Sequence, residues 1–334
     1  MNLPAELVES FRFAPDPAHA QACDRAMHAA LADSLRAVCD ASAGKVPFDR
    51  AAMDRLIAGI SAGTRLRPAA FGLYYELVPA LVGGDTARAA ALFEALARET
   101  PLGAPFRMLA LGQPELADCA ELYLRAMNSD EQDRYEFLPP SDAEIAAFRS
   151  HFAGVMDLLQ RAAPELAAEI RMLVSELVLV VGPPRTPVHF DGGSSYQLWG
   201  ALFLNAVRHK TRIDVIESLA HESAHSRLFG LCIDEPTVRN PDEERYPSPL
   251  RREPRPMDGV YHATFVSARM HWTMCRLLDS GLLDAEEAAL ARAACAADRL
   301  NFDKGYATVA AHADLTPTGR RAIGAAYAYM QQAA

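Results

Sequence analysis

Apolar residues three and four positions apart recur over Pro17 to Ala41, Phe48 to Ala62, Arg67 to Leu81 and Asp85 to Arg98. Breaks containing Gly, Pro or Thr separate them, and the pattern predicts a run of helices in an alanine-rich first part. No repeat of fixed period is evident. A polar stretch, Asn128 to Asp142 (NSDEQDRYEFLPPSD), contains Pro139-Pro140 and precedes a fresh helical pattern, so it is the predicted boundary between residues 1–135, a helical N-terminal region, and residues 136–334. The pattern then changes period. Ser175 to Val181 (SELVLVV) is rich in β-branched residues and ends at Gly182-Pro183-Pro184. Tyr196 to Asn205 (YQLWGALFLN) is a second apolar run, entered through Gly192-Gly193-Ser194-Ser195. Both read as extended segments. From Thr211 to Phe229 the helical spacing returns through Ile213, Ile216, Leu219, Ala220 and Ala224, and Gly230 follows where a C-terminal cap belongs. The expected fold is α+β and predominantly helical.

Composition narrows the class. With 334 residues and 50% hydrophobic content, the chain can bury one large or two moderate cores. A net charge of −10 without a lysine and arginine run leaves no basic face to neutralise phosphates, which excludes broad nucleic-acid binding. Six cysteines are scattered without a CxxC pair, so neither a thiolate zinc site nor a disulfide framework is expected, and a reducing cytoplasm is the expected compartment. The first residues, MNLPAELVESF, lack a charged segment followed by an apolar core. No run approaches the roughly 18 apolar residues of a membrane span, so neither secretion nor membrane insertion is expected.

The predicted Thr211 to Phe229 helix carries His221-Glu222-Ser223-Ala224-His225. Two imidazoles four residues apart on a helix share a face and can hold one metal ion. Glu222 then lies beside the metal, where a carboxylate can act as a base or orient a bound water. Extended segments leading into such a helix are the layout of zincin-like sites. The expected architecture is thus a zincin-like catalytic part, a small sheet plus the HExxH helix, behind a helical N-terminal part that covers it or binds peptide.

A third protein ligand separates the enzyme classes. A metzincin requires Gly three and His six residues after the second histidine, but those positions are Leu228 and Leu231. A gluzincin requires a glutamate on a following helix, whereas Glu243 and Glu244 lie in the proline-bounded stretch NPDEERYPSPL. His262 is better placed, in MDGVYHATFVSARMHW, where an apolar helical pattern begins at Gly259 and puts it in the first turn of a long helix. His271 is nine residues on, on the opposite face at about 100° per residue, and His189 is a further outsider. His19, His28, His151, His209 and His312 have no partner at ligand spacing and read as surface or cap residues.

The run LAHESAH followed by YPSPLRREPRPMDGVYHATF, with Ser-Pro, Arg-x-x-x-Arg-Pro and Gly-Val-x-His elements, resembles the HExxH-type 2-oxoglutarate-dependent peptide β-hydroxylases. These enzymes are associated with tailoring of ribosomally made, post-translationally modified peptides. The likeness is specific over Gly200 to Thr273 and looser in the N-terminal third; Leu250 replaces an aromatic residue in the Ser-Pro element. The resemblance implies a non-haem iron(II) centre held by His221, His225 and His262, with 2-oxoglutarate and dioxygen as cosubstrates and a precursor peptide as substrate. Glu222 becomes a proton-handling or orienting group in that case.

The distal carboxylate of 2-oxoglutarate needs a cation, and arginine offers a planar fork. Arg269 follows His262 by seven residues and should project from the same helix face, while Arg251 and Arg255 lie in the segment leading to that helix. Arg269 is the first expectation and Arg255 the second, each weighed against a surface salt bridge to nearby acids. Tyr246 and Ser248 could add hydrogen bonds. The peptide is expected to pair with the Tyr196 to Asn205 strand if that strand lies at a sheet edge, entering past a mobile Gly192 to Ser195 turn. Zinc in place of iron gives the alternative of a metallopeptidase with Glu222 as general base, since imidazole suits both metals. A structural metal in a non-catalytic peptide-binding protein is a third possibility.

Overall fold

The computed structural model describes residues 3–129, 134–183 and 190–333, which leaves His189 outside the described residues. The first helices in chain order are α1 (Leu3–Ser10), α2 (Pro17–Ser42), α3 (Arg50–Ser61), α4 (Pro68–Val82) and α5 (Thr86–Ala97). Strand β1 (Arg107–Ala110), α6 (Ala120–Met127), α7 (Asp142–Ala162) and α8 (Pro164–Leu173) follow, then β2 (Glu176–Val180), β3 (Gly192–Ser194) and β4 (Ala201–Asn205). The chain continues through α9 (Arg212–Phe229), α10 (Met257–Asp279), α11 (Ala285–His312) and α12 (Pro317–Gln332). The protein is therefore mostly helical with one small mixed sheet. No helix among the described residues is long and apolar enough to cross a membrane.

Two compact units share the chain, each built from more than one segment of it. One comprises Met1–Cys23, Asp142–Met172 and Val207–Ala334; the other comprises Asp24–Ser141 and Leu173–Ala206.

The second unit contains the sheet, ordered β1-β2-β4-β3. β1 and β4 flank β2 in parallel, and β3 runs antiparallel to β4. Every residue of β2 and β4 is buried, as continuous apolar runs in a parallel sheet require. Leu109, Val178, Val180 and Phe203 pack with Leu122, Tyr123, Phe137 and Phe190 into this unit's core. The buried Glu176 accepts from the Tyr123 hydroxyl at 2.6 Å and pairs with Arg107. Gly200 enters β4 at a φ of +94°, and a Cβ there would stand 2.8 Å from Ser175 Oγ. That close approach lets its carbonyl accept from the N–H groups of Ser175 and Glu176 at 2.8 and 3.0 Å.

Three expectations change in this unit. The alanine-rich first part also supplies a strand, β1, whose four residues are too few to show a period. The Tyr196 to Asn205 segment is a short helical turn at Tyr196–Leu198 followed by β4. β4 is hydrogen-bonded on both sides, by β2 and by β3, so it offers no edge to a peptide. Gly192 to Ser194, expected as a turn, is itself the edge strand β3.

The first unit is all helix among the described elements. α9 starts with a capping box: Asp214 N–H donates to Thr211 Oγ1 at 3.1 Å, and the Asp214 carboxylate accepts from Thr211 N–H at 3.0 Å. Asp284 and Glu287 repeat the motif at the start of α11. Leu228, Val260, Phe265, Phe302, Ile323 and Met330 form the core, joined by Phe11 and Phe13 from the chain's first residues. Arg227 of α9 and Arg269 of α10 both reach the fully buried Glu169 of α8.

Candidate metal centre

α9 and α10 bring the three predicted histidines together within the first unit. His221 and His225 lie one turn apart on α9 with Nε2 atoms 3.1 Å from each other. His262, on the second turn of α10 because that helix begins at Met257 and not at Gly259, presents Nδ1 to His225 Nδ1 at 2.9 Å. The rings of His225 and His262 stack at 5.2 Å with 16° between their planes, and Phe229 packs against both.

Both nitrogen separations match the roughly 3 Å between neighbouring donors that each sit about 2.1 Å from one ion. His225 offers a different nitrogen to each neighbour, Nε2 to His221 and Nδ1 to His262, so as placed it bridges the other two rings and does not bring all three donors to one point. Burial, then the Arg251 charge, then His262 push the His221 pKa down to about 4. Burial and the two neighbouring rings hold His225 well below the ordinary range. These rings are therefore neutral and keep lone pairs for a cation. His221 still leaves 26% of its side-chain surface open, a route of access.

Glu222 is buried, with Oε1 3.9 Å from His221 Nε2. One atom each from His221, Glu222 and His225 fall within 4.8 Å of one another, so a carboxylate stands beside the imidazole pair. On the other side, His262 Nε2 is 3.9 Å from Asp258 Oδ1, which also accepts from Thr237 Oγ1 at 3.1 Å. A carboxylate behind a ligand histidine favours donation from the opposite nitrogen. The donor chemistry and spacing fit a first-row divalent ion.

The arginines separate clearly. Arg269 does not reach the centre: its side chain is 2% exposed, pairs with Glu169 and donates from Nη1 to the Phe13 carbonyl at 2.7 Å. Seven residues of spacing set its direction, but two turns further along α10 the helix is enclosed and the guanidinium is fixed in the core. Arg255 is half-buried, and its backbone pairs with Tyr246 through bonds of 2.8 and 2.9 Å. Arg251 is exposed, and its charge acts on His221. Tyr246 donates its hydroxyl to Glu244, and Ser248 Oγ accepts from Leu250 N–H at 3.4 Å.

The remaining histidines divide by environment. His271 is buried on the opposite side of α10, where Nδ1 meets the Tyr329 hydroxyl at 2.9 Å, and burial is the main cause holding its pKa at about 4. His19 and His28, expected at the surface, are core residues. His19 Nε2 donates to the Leu7 carbonyl at 2.8 Å, while His28 accepts from Leu66 N–H at 3.0 Å through Nε2. Sequence reasoning also missed Glu169 and Arg227; their only signal is a charge at a core-facing position of an apolar helical pattern. No family model matches the chain, and no curated protein matches it significantly.

Proposed function

We propose that this protein is an iron(II)- and 2-oxoglutarate-dependent dioxygenase that hydroxylates the β-carbon of a residue in a ribosomally synthesised peptide, within the cytoplasm. The observation that carries the reading is the charge balance at the three-histidine cluster. His221 and His225 are held neutral with His262 beside them, and Arg251 adds a positive charge next to His221. Such a site favours a small dianion, and a keto acid with a second carboxylate is one.

Three protein ligands would leave room on such an ion for a 2-keto acid and dioxygen. When bound, iron with these cosubstrates supplies oxidative decarboxylation to succinate and carbon dioxide and inserts one oxygen atom into a substrate C–H bond. The chain's own residues hold and orient. The three imidazoles would hold the ion, and Asp258 places a carboxylate 3.9 Å behind His262 Nε2. Arg251 attracts the distal carboxylate, with Arg255 the nearby second candidate. Phe229, stacked on two of the rings, limits water on its side. Glu222 holds a proton or a water next to His221 Nε2.

A zinc metallopeptidase is the second reading, favoured by the position of Glu222 beside the imidazole pair, where a general base for a zinc-bound water would stand. The two are told apart by loading the protein anaerobically with iron, adding 2-oxoglutarate and oxygen with or without a candidate peptide, and measuring succinate and peptide mass. Peptide-stimulated succinate with a gain of one oxygen atom supports the hydroxylase. Zinc-dependent cleavage without succinate replaces it with the peptidase.

A further inference from the structure

On the opposite side of α10 from the histidine cluster, one ring and two thiols meet. His271 and Cys275 lie one turn apart on α10, and Cys295 approaches from α11, the next helix in the chain. Cys275 Sγ is 3.3 Å from Cys295 Sγ, and 3.7 and 3.9 Å from His271 Nδ1 and Nε2. One donor atom from each of the three lies within 4.8 Å of the others. His271 is buried, whereas both cysteines are partly exposed, so the site is formed inside the unit and open to solution.

We propose that His271, Cys275 and Cys295 form a second metal site, selective for a thiophilic d10 ion, and that zinc(II) is its occupant. A tetrahedral zinc with bonds of about 2.3 Å to sulfur and about 2.0 Å to nitrogen separates two sulfurs by roughly 3.8 Å and sulfur from nitrogen by roughly 3.5 Å. Cys275 Sγ already stands within about half an ångström of that arrangement from both Cys295 Sγ and His271 Nε2. The hydrogen bond between His271 Nδ1 and Tyr329 adds an independent reason. Ligand histidines characteristically engage a polar partner through the nitrogen that does not touch the metal, which fixes ring and tautomer. Tyr329 does this for Nδ1 and leaves Nε2, 3.9 Å from Cys275 Sγ, as the nitrogen offered to the ion. A plain disulfide would bring the sulfurs to about 2.0 Å and give His271 and Tyr329 no part. Binding releases the two thiol protons and leaves the fourth position to water, since three protein donors are supplied. The site is independent of the reaction proposed for the other cluster.

The test uses the full chain carrying His221→Ala and His225→Ala, reduced, titrated with cobalt(II) as a spectroscopic substitute and then with zinc. One cobalt per chain with thiolate-to-cobalt charge-transfer absorption, displaced by zinc, is expected. Cys275→Ser or Cys295→Ser removes that absorption with helical content unchanged, and Tyr329→Phe keeps it while weakening binding by about tenfold. In the unsubstituted chain, zinc should slow alkylation of Cys275 and Cys295, read by peptide mass, with no such effect on Cys232. A folded, reduced chain that shows no thiolate charge transfer overturns the proposal. So does equal alkylation of both thiols with and without zinc, or their closure to a disulfide in place of metal uptake.

Discussion

His225 and His262 face each other through their Nδ1 atoms at 2.9 Å, although 37 residues of chain separate them. Two imidazole nitrogens this close share either a proton or a cation, and the reading proposed above takes the cation. His262→Ala should therefore lower iron affinity by more than about tenfold and abolish peptide-dependent succinate formation. His271→Ala should leave iron binding at this cluster unchanged. Metal content after dialysis and succinate yield would check both, and the reverse ranking would exclude His262 as the third ligand.

Arg251 and Arg269 should respond in opposite ways. Removing the exposed Arg251 is expected to raise the KM for 2-oxoglutarate by about ten- to a hundredfold, the scale of a lost charge-assisted contact of roughly 1.5–3 kcal/mol. Its melting temperature should barely change. Steady-state kinetics beside thermal unfolding would show this, and an unchanged KM would point to Arg255.

Glu169 accepts from Arg269 and lies 3.5 Å from Arg227 Nε, all three buried. It also takes the Asp16 N–H at 2.8 Å. Glu169→Ala strands two guanidinium groups in a dry interior and should destabilise the fold by about 3–5 kcal/mol. Arg269→Ala should cost a similar amount without a specific effect on the keto acid. Urea unfolding would measure both; a loss below about 1 kcal/mol for Glu169→Ala would mean water reaches the cluster.

Asp298 gives a pH signature. Burial, then the Glu217 carboxylate, raise its carboxyl from 3.8 to about 8. Between those values the folded chain holds a proton that the unfolded chain has released, so this contribution is greatest at the acid end and is lost as pH rises toward about 8. Asp298→Asn keeps the neutral shape. In the presence of chelator it should melt higher than the parent protein at pH 8 and nearly level with it near pH 4. A gap that does not widen with pH would mean the carboxyl ionises freely in the fold.

The helix that carries His221 and His225 was legible because its evidence is local: Thr211 and Asp214 cap it, Gly230 follows it, and one turn separates the histidines. His262 was legible for the same reason, although α10 starts earlier than its glycine suggests. Arg269 shows where locality ends. Spacing gives a direction around a helix, but its depth depends on Glu169 and Phe13, which are far away in sequence. The cysteines fail similarly. No CxxC exists, yet Cys275 and Cys295 meet because two successive helices pack, which no spacing rule within one helix reveals. β1 was invisible because its four residues have only parallel, non-local partners.

The interleaving of the two units governs the order in which they can form during synthesis. The sheet lacks its central pairing until β4 has emerged, and β1 must wait for β2 across the whole of α6, α7 and α8. The other unit waits longer. Phe13 stacks on Tyr329 at 4.7 Å, and Arg321 donates to the Glu9 carbonyl across 312 residues. Phe13 is thus made long before Tyr329, the ring that covers it, so this half should close later and more slowly than the sheet.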